Sequence, residues 1–473
     1  MTIEEKIAIQ KEKIEKGNPK IELVASCRIN NGIEKITPKI ESDALTYFEN
    51  TKESIDITFF VPASGSGSRM FGSAYAFLNN ENPSESTIEF IEHLINSVEE
   101  FAFYNKLPIT VKQELKSGSI EIEKFLKLIL HEEGFNFGNR PKGLIPFHRY
   151  GNFIINPFQE HVLQGTKVAG EQSKFHFTIN SKFEEEIRHS IKILREMTGI
   201  DFSFEFSVQD EDTNSVAFTA SNEVFKDENG NPITRPAGHG VLLDNLNRIK
   251  SDLILIRNID NIQHQNKSEF STKTRKILSG ILLDFQNMCF EVLNAIEEGK
   301  PFKQQLKQLN DQFQLNIKES DWSNEEKVKS ILNRPYRICG MVKNEGQPGG
   351  GPFWVKNEQG DIQRQIVEKS QISTRPSQLN MLIKSTHFNP VEIICAPKNY
   401  KGEYFDLMDF KEDLQYFIVQ KTQKGENVQF IEQPGLWNGG MANWNTIFYE
   451  IDSQCFSPVK TILDLLKPMH RSK

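Results

Sequence analysis

Val61-Pro62-Ala63-Ser64-Gly65-Ser66-Gly67-Ser68-Arg69-Met70 is the stretch on which the reading of this chain turns. The run before it, Ile55 to Val61, is rich in β-branched and aromatic residues and fits a buried strand, and Ala74 to Leu78 opens a helix. A small-residue loop at a strand-to-helix turn is where phosphates bind. Gly65 and Gly67 can adopt positive φ and let the backbone come close to a ligand, while the N–H groups at a helix start offer fixed donors. The Arg69 guanidinium adds a fork that matches phosphate oxygens. A flexible Ser/Gly linker is the competing reading, and the apolar run on one side and the Arg and helix on the other argue against it. The loop lacks the Gly-Lys-Ser/Thr ending of a nucleoside-triphosphatase P-loop, and its glycine spacing is not that of the dinucleotide fingerprint.

The 473 residues allow about three domains by length, or one large α/β core with insertions. Phe alone contributes 35 residues, which predicts an aromatic-rich core. The net charge of −8 leaves no broad basic surface for nucleic acid, so an anionic small substrate would have to be met by local Arg and Lys. No apolar run reaches the length of a membrane span, and Met1-Thr2-Ile3-Glu4-Glu5-Lys6 is not a signal peptide, so a cytosolic protein is expected. Cys27, Cys289, Cys339, Cys395 and Cys455 are scattered and contain no Cys-x-x-Cys pair, which argues against disulfides and a zinc site.

Outward from the loop, residues 2 to 16 read as an exposed charged helix ended by Gly17-Asn18-Pro19. Ser86-Thr87-Ile88-Glu89 is expected to cap a helix with Ile88, Ile91, Ile95 and Val98 on one face, and another helix is expected over Ile120 to Leu130. In Asn139-Arg140-Pro141-Lys142-Gly143-Leu144-Ile145-Pro146-Phe147 two prolines fix an extended path and hold the Lys between them near a turn, with a solvated surface Lys as the competing reading. Lys174 to Ile179, a helix through Ile187, Ile191 and Leu194, and Phe202 to Val208 form the strand-helix-strand pattern of a parallel sheet. Asp210-Glu211-Asp212 reads either as a solvated turn or as a metal-holding Asp-x-Asp.

A second centre is Arg235-Pro236-Ala237-Gly238-His239-Gly240, then an amphipathic segment Val241 to Ile249, a strand Asp252 to Arg257, and Asn258-Ile259-Asp260-Asn261. An Asp just beyond a strand's carboxyl end lies where open α/β sheets bind ligands, and a hard carboxylate suits Mg2+ shared with phosphates. An Asx-turn for Asp260 and a helix-cap role for His239 remain open beside this. Residues 265 to 333 read as charged helices. The glycine- and proline-rich loop Gln347-Pro348-Gly349-Gly350-Gly351-Pro352-Phe353 precedes a strand ending at Glu368, and Val391 to Cys395 is a strand before Lys398. Pro458 to Leu466 is expected as a final helix, and Trp437 in Pro434 to Met441 reads as a lid or a packed turn.

The order of these motifs resembles that of sugar-1-phosphate nucleotidyltransferases. Ala63 to Met70 resembles their Gly-Gly-x-Gly-Thr-Arg loop, with Ser64 and Ser68 standing where Gly and Thr are usual, and Pro141-Lys142 resembles their Pro-Lys motif. Gly238-His239-Gly240 with Asn258-Ile259-Asp260-Asn261 resembles elements of the UDP-sugar pyrophosphorylase branch, and the Glu368 strand and Lys398 resemble its sugar-binding strand and late phosphate-contacting Lys. Cys339 to Phe353 and Arg235 to Asn261 are also similar to a bacterial family known as a domain of unknown function, DUF4301.

The resemblance spans residues 55 to 402. It implies an α/β fold with a Rossmann-like, mixed, mostly parallel sheet flanked by helices. A helical extension would occupy 1–50, a nucleotidyltransferase-like domain 51–402 with helical insertions near 80–135 and 265–333, and a further segment 403–473, with no β-helix repeat.

The reaction it implies joins a sugar-1-phosphate to a nucleoside triphosphate and releases pyrophosphate, with UTP favoured by Gly-His-Gly. The triphosphate would be held by Ser64, Gly65, Ser66, Gly67 and Ser68, and the base bordered by Gly238, His239 and Gly240. Arg69, Lys142 and Lys398 would be catalytic, Gly340, Glu368 and Asn258 would face the sugar phosphate, and Asp260 would hold Mg2+. Two other readings stand beside it: a nucleotide-sugar-binding protein without turnover, and a glycosyltransferase using Asp210 to Asp212.

Overall fold

The computed structural model describes residues 2–170, 173–346, 349–357, 360–423 and 426–472. Gln347 and Pro348 of the glycine-rich loop therefore lie outside the described residues. Two compact units divide the chain: Met1–Thr58 with Gln209–Ile256 and Lys276–Ser453, and Phe59–Val208 with Arg257–Arg275 and Gln454–Lys473.

The second unit is built around the run that precedes the Ser/Gly loop. Ile57–Pro62 is a strand whose first five residues are buried, as expected for β-branched and aromatic side chains covered on both faces. Beside it lies Lys174–Ile179, which pairs in parallel with Ser203–Val208 and sets Phe175 opposite Phe204 and Phe177 opposite Phe206. Helix Glu184–Thr198 makes the crossover and buries Ile187, Ile191 and Leu194. Phe71, Phe101, Phe103, Phe125 and Phe137 share one aromatic core with Ile91, Leu94, Ile462 and Leu465. Each buried Phe contributes about 1.5–3 kcal/mol. The helix over this core, Glu85–Asn96, is capped by Ser84, whose hydroxyl accepts from the Thr87 N–H, and the expected capping box at Ser86 lies inside it.

In the larger unit the strands run in the order Arg28–Ile29, Gly32–Lys35, Asn445–Glu450, Tyr336–Lys343, Ile393–Ala396 and Leu253–Ile256. Ile393–Ala396 lies antiparallel to both its neighbours, while Tyr336–Lys343 and Asn445–Glu450 pair in parallel. Helix Glu269–Glu297 lays Leu278, Leu282, Phe285, Cys289, Val292 and Leu293 inward at helical spacing. Two further three-stranded sheets complete this unit: Leu23–Ser26 with Gly351–Lys356 and Ile362–Val367, and Phe218–Thr219 with Glu426–Glu432 and Phe417–Gln423. Residues 2–50 hold short strands as well as the helices Ile3–Lys16 and Pro38–Thr51.

The fold is thus mixed α/β, with parallel pairings prevailing in the central strands and helices flanking them. All five cysteines are buried and none is in a disulfide among the described residues. Among the described residues no helix is long and apolar enough to cross a membrane. The expected final helix over Pro458 to Leu466 is present only as the 3-10 turn Ile462–Leu466. The residues before it are drawn out of a helix by partners far away in the chain: Pro458 bridges Asn261, Ser457 N donates to Asn261 Oδ1 at 2.8 Å and Val459 N to Asp260 O at 3.0 Å.

Candidate functional site

The Ser/Gly loop and Pro141-Lys142, far apart in sequence, form one structure. Ser66 bridges to Pro141, with Gly67 N donating to Arg140 O at 2.9 Å and Lys142 N donating to Gly65 O at 3.2 Å. The expectation that Gly65 and Gly67 use positive φ is not met: neither is among the positive-φ glycines, and Gly67 sits at φ −73°. Close packing explains Gly67 instead, because a Cβ there would lie 2.5 Å from Ile145 Cδ1 and 3.1 Å from Arg140 O. Around Gly65 a Cβ would meet nothing within 4 Å. Ser66 Oγ and Ser68 Oγ are hydrogen-bonded at 2.9 Å, and Ser64 is half-buried beside the exposed Gly65.

Asp260 comes to the same place because residues 257–259 run beside the loop's own strand, Arg257 N donating to Phe60 O and Ile259 N to Pro62 O. Asn258 closes the turn, its carbonyl accepting from Asn261 N at 3.0 Å. The buried His161 braces this turn, its Nε2 lying 3.3 Å from Ile259 O. Burial, with the nearby Arg275 charge, pushes His161 down to about 3, so at neutral pH its single ring proton serves this bond.

Two ammonium groups converge on one oxygen of Asp260. Lys142 Nζ and Lys460 Nζ each lie 3.0 Å from Oδ2, and Lys142 Nζ also donates to Val459 O at 2.8 Å. Burial raises the Asp260 carboxyl, but Lys142 and Lys460 outweigh it and hold the group below the usual carboxylate range. Lys142 is lowered chiefly by burial, with the charges of Lys460 and Arg69 adding to the effect and Asp260 opposing it. Arg69 is exposed and close enough for its charge to be felt at Lys142. Three cations and one carboxylate at the carboxyl end of a strand form a locus with excess positive charge, suited to an anion.

The larger unit assembles the Gly-His-Gly element separately. Gly238 has φ +77°, which favours glycine, and a Cβ on Gly240 would collide with Pro434 O. His239 Nδ1 accepts from Leu436 N at 3.1 Å, and its ring stacks on Trp437 with centroids 4.2 Å apart. Burial pushes His239 down to about 4, so its neutral ring carries the proton on Nε2. Trp437 is therefore a packed turn residue. Its carbonyl accepts from the fully buried Arg337 at 2.8 Å. Asn438 Nδ2 donates to Ile366 O, and a Cβ on Gly350 would approach both Asn438 Nδ2 and Glu368 Oε1, so these loops gather at one place. Burial raises the Glu368 carboxyl.

Other expected residues are placed differently. Lys398 Nζ pairs with Asp252 Oδ1 at 2.5 Å and lies over the Tyr404 ring. Asp252 precedes strand Leu253–Ile256, so Lys398 sits at its amino end, opposite the carboxyl edge at which such sheets bind ligands. Gly340 is interior to its strand, where its N–H donates to Glu392 O and a Cβ would meet Ile451 at 2.5 Å. Asp210 accepts from Asp212 N at 2.9 Å and caps a 3-10 turn, which is the solvated-turn reading of that acidic run. Lys460 was not anticipated, since Val459-Lys460-Thr461 offers no local signal beyond Pro458. Asp260 is, among the described residues, the one carboxylate ion-paired with Lys142 and Lys460, and no group of three or more His, Cys, Asp or Glu able to hold a metal occurs there.

Compared with known proteins, the chain matches "Domain of unknown function (DUF4301)" over residues 1–471. No curated protein matches it in sequence. Among solved structures it is similar to the uridine diphosphate N-acetylglucosamine pyrophosphorylase of Trypanosoma brucei in complex with inhibitor. The TM-score is 0.52 and the identity 10%, with 98% of this chain and 74% of that one covered. A UDP-glucose phosphorylase of Trypanosoma brucei and a mutant UDP-glucose pyrophosphorylase of Leishmania major both give TM-scores of 0.46, with identities of 14% and 11%. These cover 98% and 99% of this chain and 74% and 75% of theirs. The first of the three carries the likeness, which is one of fold.

Proposed function

The chain belongs to the family described as Domain of unknown function (DUF4301), a name that carries no activity, and from the geometry of its site we propose that it is a sugar-1-phosphate nucleotidyltransferase. One observation supports this above the others: the Ser66–Pro141 bridge joins the Ser/Gly loop to Lys142, which meets Lys460 on Asp260 Oδ2 beyond a strand's carboxyl end, with Arg69 close enough for its charge to be felt at Lys142. The fold shared with a pyrophosphorylase raises the prior, although fold alone assigns no chemistry.

In this reading a sugar-1-phosphate oxygen attacks the α-phosphorus of a nucleoside triphosphate. A new P–O bond forms, the α–β P–O bond breaks, and pyrophosphate leaves with its electron pair. No covalent protein intermediate is needed, so catalysis rests on positioning and charge neutralisation. Loop residues 64–68 offer backbone and hydroxyl groups to the triphosphate. Lys142, held by Asp260 and Val459 O before any ligand arrives, and Arg69 neutralise the departing pyrophosphate. Lys460 takes the role that resemblance gave to Lys398. His239, neutral with Nε2–H, and Gly238 and Gly240 border the base, with UTP the favoured triphosphate, and Glu368 serves the sugar. Asp260 is the residue that would hold Mg2+, which with one protein carboxylate draws its other ligands from phosphate and water. When bound there, the ion supplies charge neutralisation at the α-phosphate.

Binding without turnover is the second reading, favoured by the two ammonium groups already on Asp260 Oδ2. Pyrophosphate release across a panel of nucleoside triphosphates and sugar-1-phosphates, with and without Mg2+, decides between them. Mg2+-dependent release with one pair is expected. Binding of a nucleotide sugar with no release by any pair would leave the second reading, and absence of both would remove the assignment.

A further inference from the structure

Lys460 reaches Asp260 from a segment whose fixing points lie elsewhere. Its side chain is 61% exposed, so packing does not hold the ammonium, and its position follows from the backbone that carries it. Upstream, Arg257 Nη2 donates to Cys455 O at 2.8 Å and Ser457 N bonds to Asn261. Downstream, beyond the turn Ile462–Leu466, His264 N donates to Met469 O at 2.9 Å. The next residue, His470, is 4% exposed and places Nδ1 3.1 Å from His148 Nε2.

His148 in turn lies 2.9 Å from Glu160 Oε2, and both of these side chains are fully buried. Tyr150 OH donates to the same carboxylate at 2.9 Å and Gln164 Nε2 lies 3.3 Å from it. The proposed chemistry uses none of these groups. Burying a carboxylate with two imidazoles carries a desolvation penalty that an apolar cluster would not, so such networks are best accounted for by the geometry they impose. A single proton lies between the two facing ring nitrogens, which fixes the direction of the His470 ring and with it the chain at Met469-His470.

We propose that His470, clamped by the buried His148–Glu160 pair, is a positioning residue that sets the segment carrying Val459 O and Lys460 against Lys142 and Asp260. The proposal rests on the phosphate-site reading above.

The full chain is compared with His470→Ala, His470→Asn, Lys460→Met and the His470→Ala/Lys460→Met double variant. Two quantities are followed, hydrogen-exchange protection of the Val459 amide and calorimetric affinity for inorganic pyrophosphate. His470→Ala is expected to lower that protection and to weaken pyrophosphate on the order of tenfold, within the ~10²-fold that misplacement can cost. His470→Asn, which retains a hydrogen-bonding side chain, should restore most of both. In the Lys460→Met background His470→Ala should cost clearly less than it does alone, because only the Val459 O contact to Lys142 is then left to lose.

Unchanged protection, or losses that multiply in the double variant, would overturn the proposal. Should His470→Ala not fold, the isosteric Glu160→Gln is read by the same two measurements, and failure of both to fold would show a fold element and end the proposal. If the wild type itself does not bind pyrophosphate, the phosphate-site reading falls, and Val459 protection alone then decides whether His470 sets this segment.

Discussion

Lys142 and Lys398 are both lysines beside an aspartate, and their surroundings separate them. Lys142 is half-buried, bonded to Asp260 and Val459 O and placed among other cations. Its replacement by Ala is expected to lower turnover by about two to three orders of magnitude, the scale for losing one preorganised charge stabiliser. A loss under about threefold in kcat would make it an ordinary lysine. Lys398 sits in a partly exposed pair at the amino end of strand Leu253–Ile256, so Lys398→Ala should leave kcat within about threefold and cost under ~1 kcal/mol in urea unfolding. Asp260→Asn keeps the shape and removes the charge that the two lysines share. It should abolish Mg2+-dependent pyrophosphate release while far-UV circular dichroism stays unchanged, and retained activity would remove Asp260 from the metal role. Local sequence singled out Lys142 and Asp260 because Pro141 and the strand before Asp260 mark them. It could not single out Lys460, whose partner lies two hundred positions away.

At the scale of the element, the Ser/Gly loop behaves as a strand-like connection paired with residues 140–142. Gly65 and Gly67 should therefore respond differently to the same change. Gly65→Ala meets open space without positive φ and should lie within about 0.5 kcal/mol of wild type. Gly67→Val drives side-chain atoms into Ile145 and the Arg140 carbonyl, an overpacking that typically costs ~1–3 kcal/mol. Thermal unfolding and triphosphate calorimetry on the two variants test this, with loss of binding expected only for Gly67→Val. If both bind triphosphate as the wild type does, the loop is not the phosphate element. The loop's boundaries were legible from the apolar run before it. The reason for its second glycine was not, since Ile145 and Arg140 approach it only in the folded chain.

For the whole molecule, several histidines are held neutral. Burial places His161 and His470 near 3 and His239 near 4, against about 6.5 in an unfolded chain. Between those values the unfolded chain binds more protons than the folded one. Stability is therefore complete above about pH 6.5 and falls as the pH drops below it, by up to ~1.4 kcal/mol per pH unit for each such histidine. Urea midpoints should fall between pH 7 and pH 5, and His161→Gln should flatten that slope. An equal slope in the variant would show that His161 does not contribute.

The sequence by itself determined the strands, the helix crossover between Lys174–Ile179 and Ser203–Val208, the aromatic core and the place of the loop. These follow from periodicity and turn chemistry that act over a few residues. Only the tertiary structure decided that Pro458 to Lys460 is not helical, that Lys460 joins Lys142 on Asp260, and that Trp437 packs on His239. Each of those depends on hydrogen bonds and charges between segments far apart in the chain. Local propensity is silent about such contacts, because their energy exists only once the fold has brought the partners together.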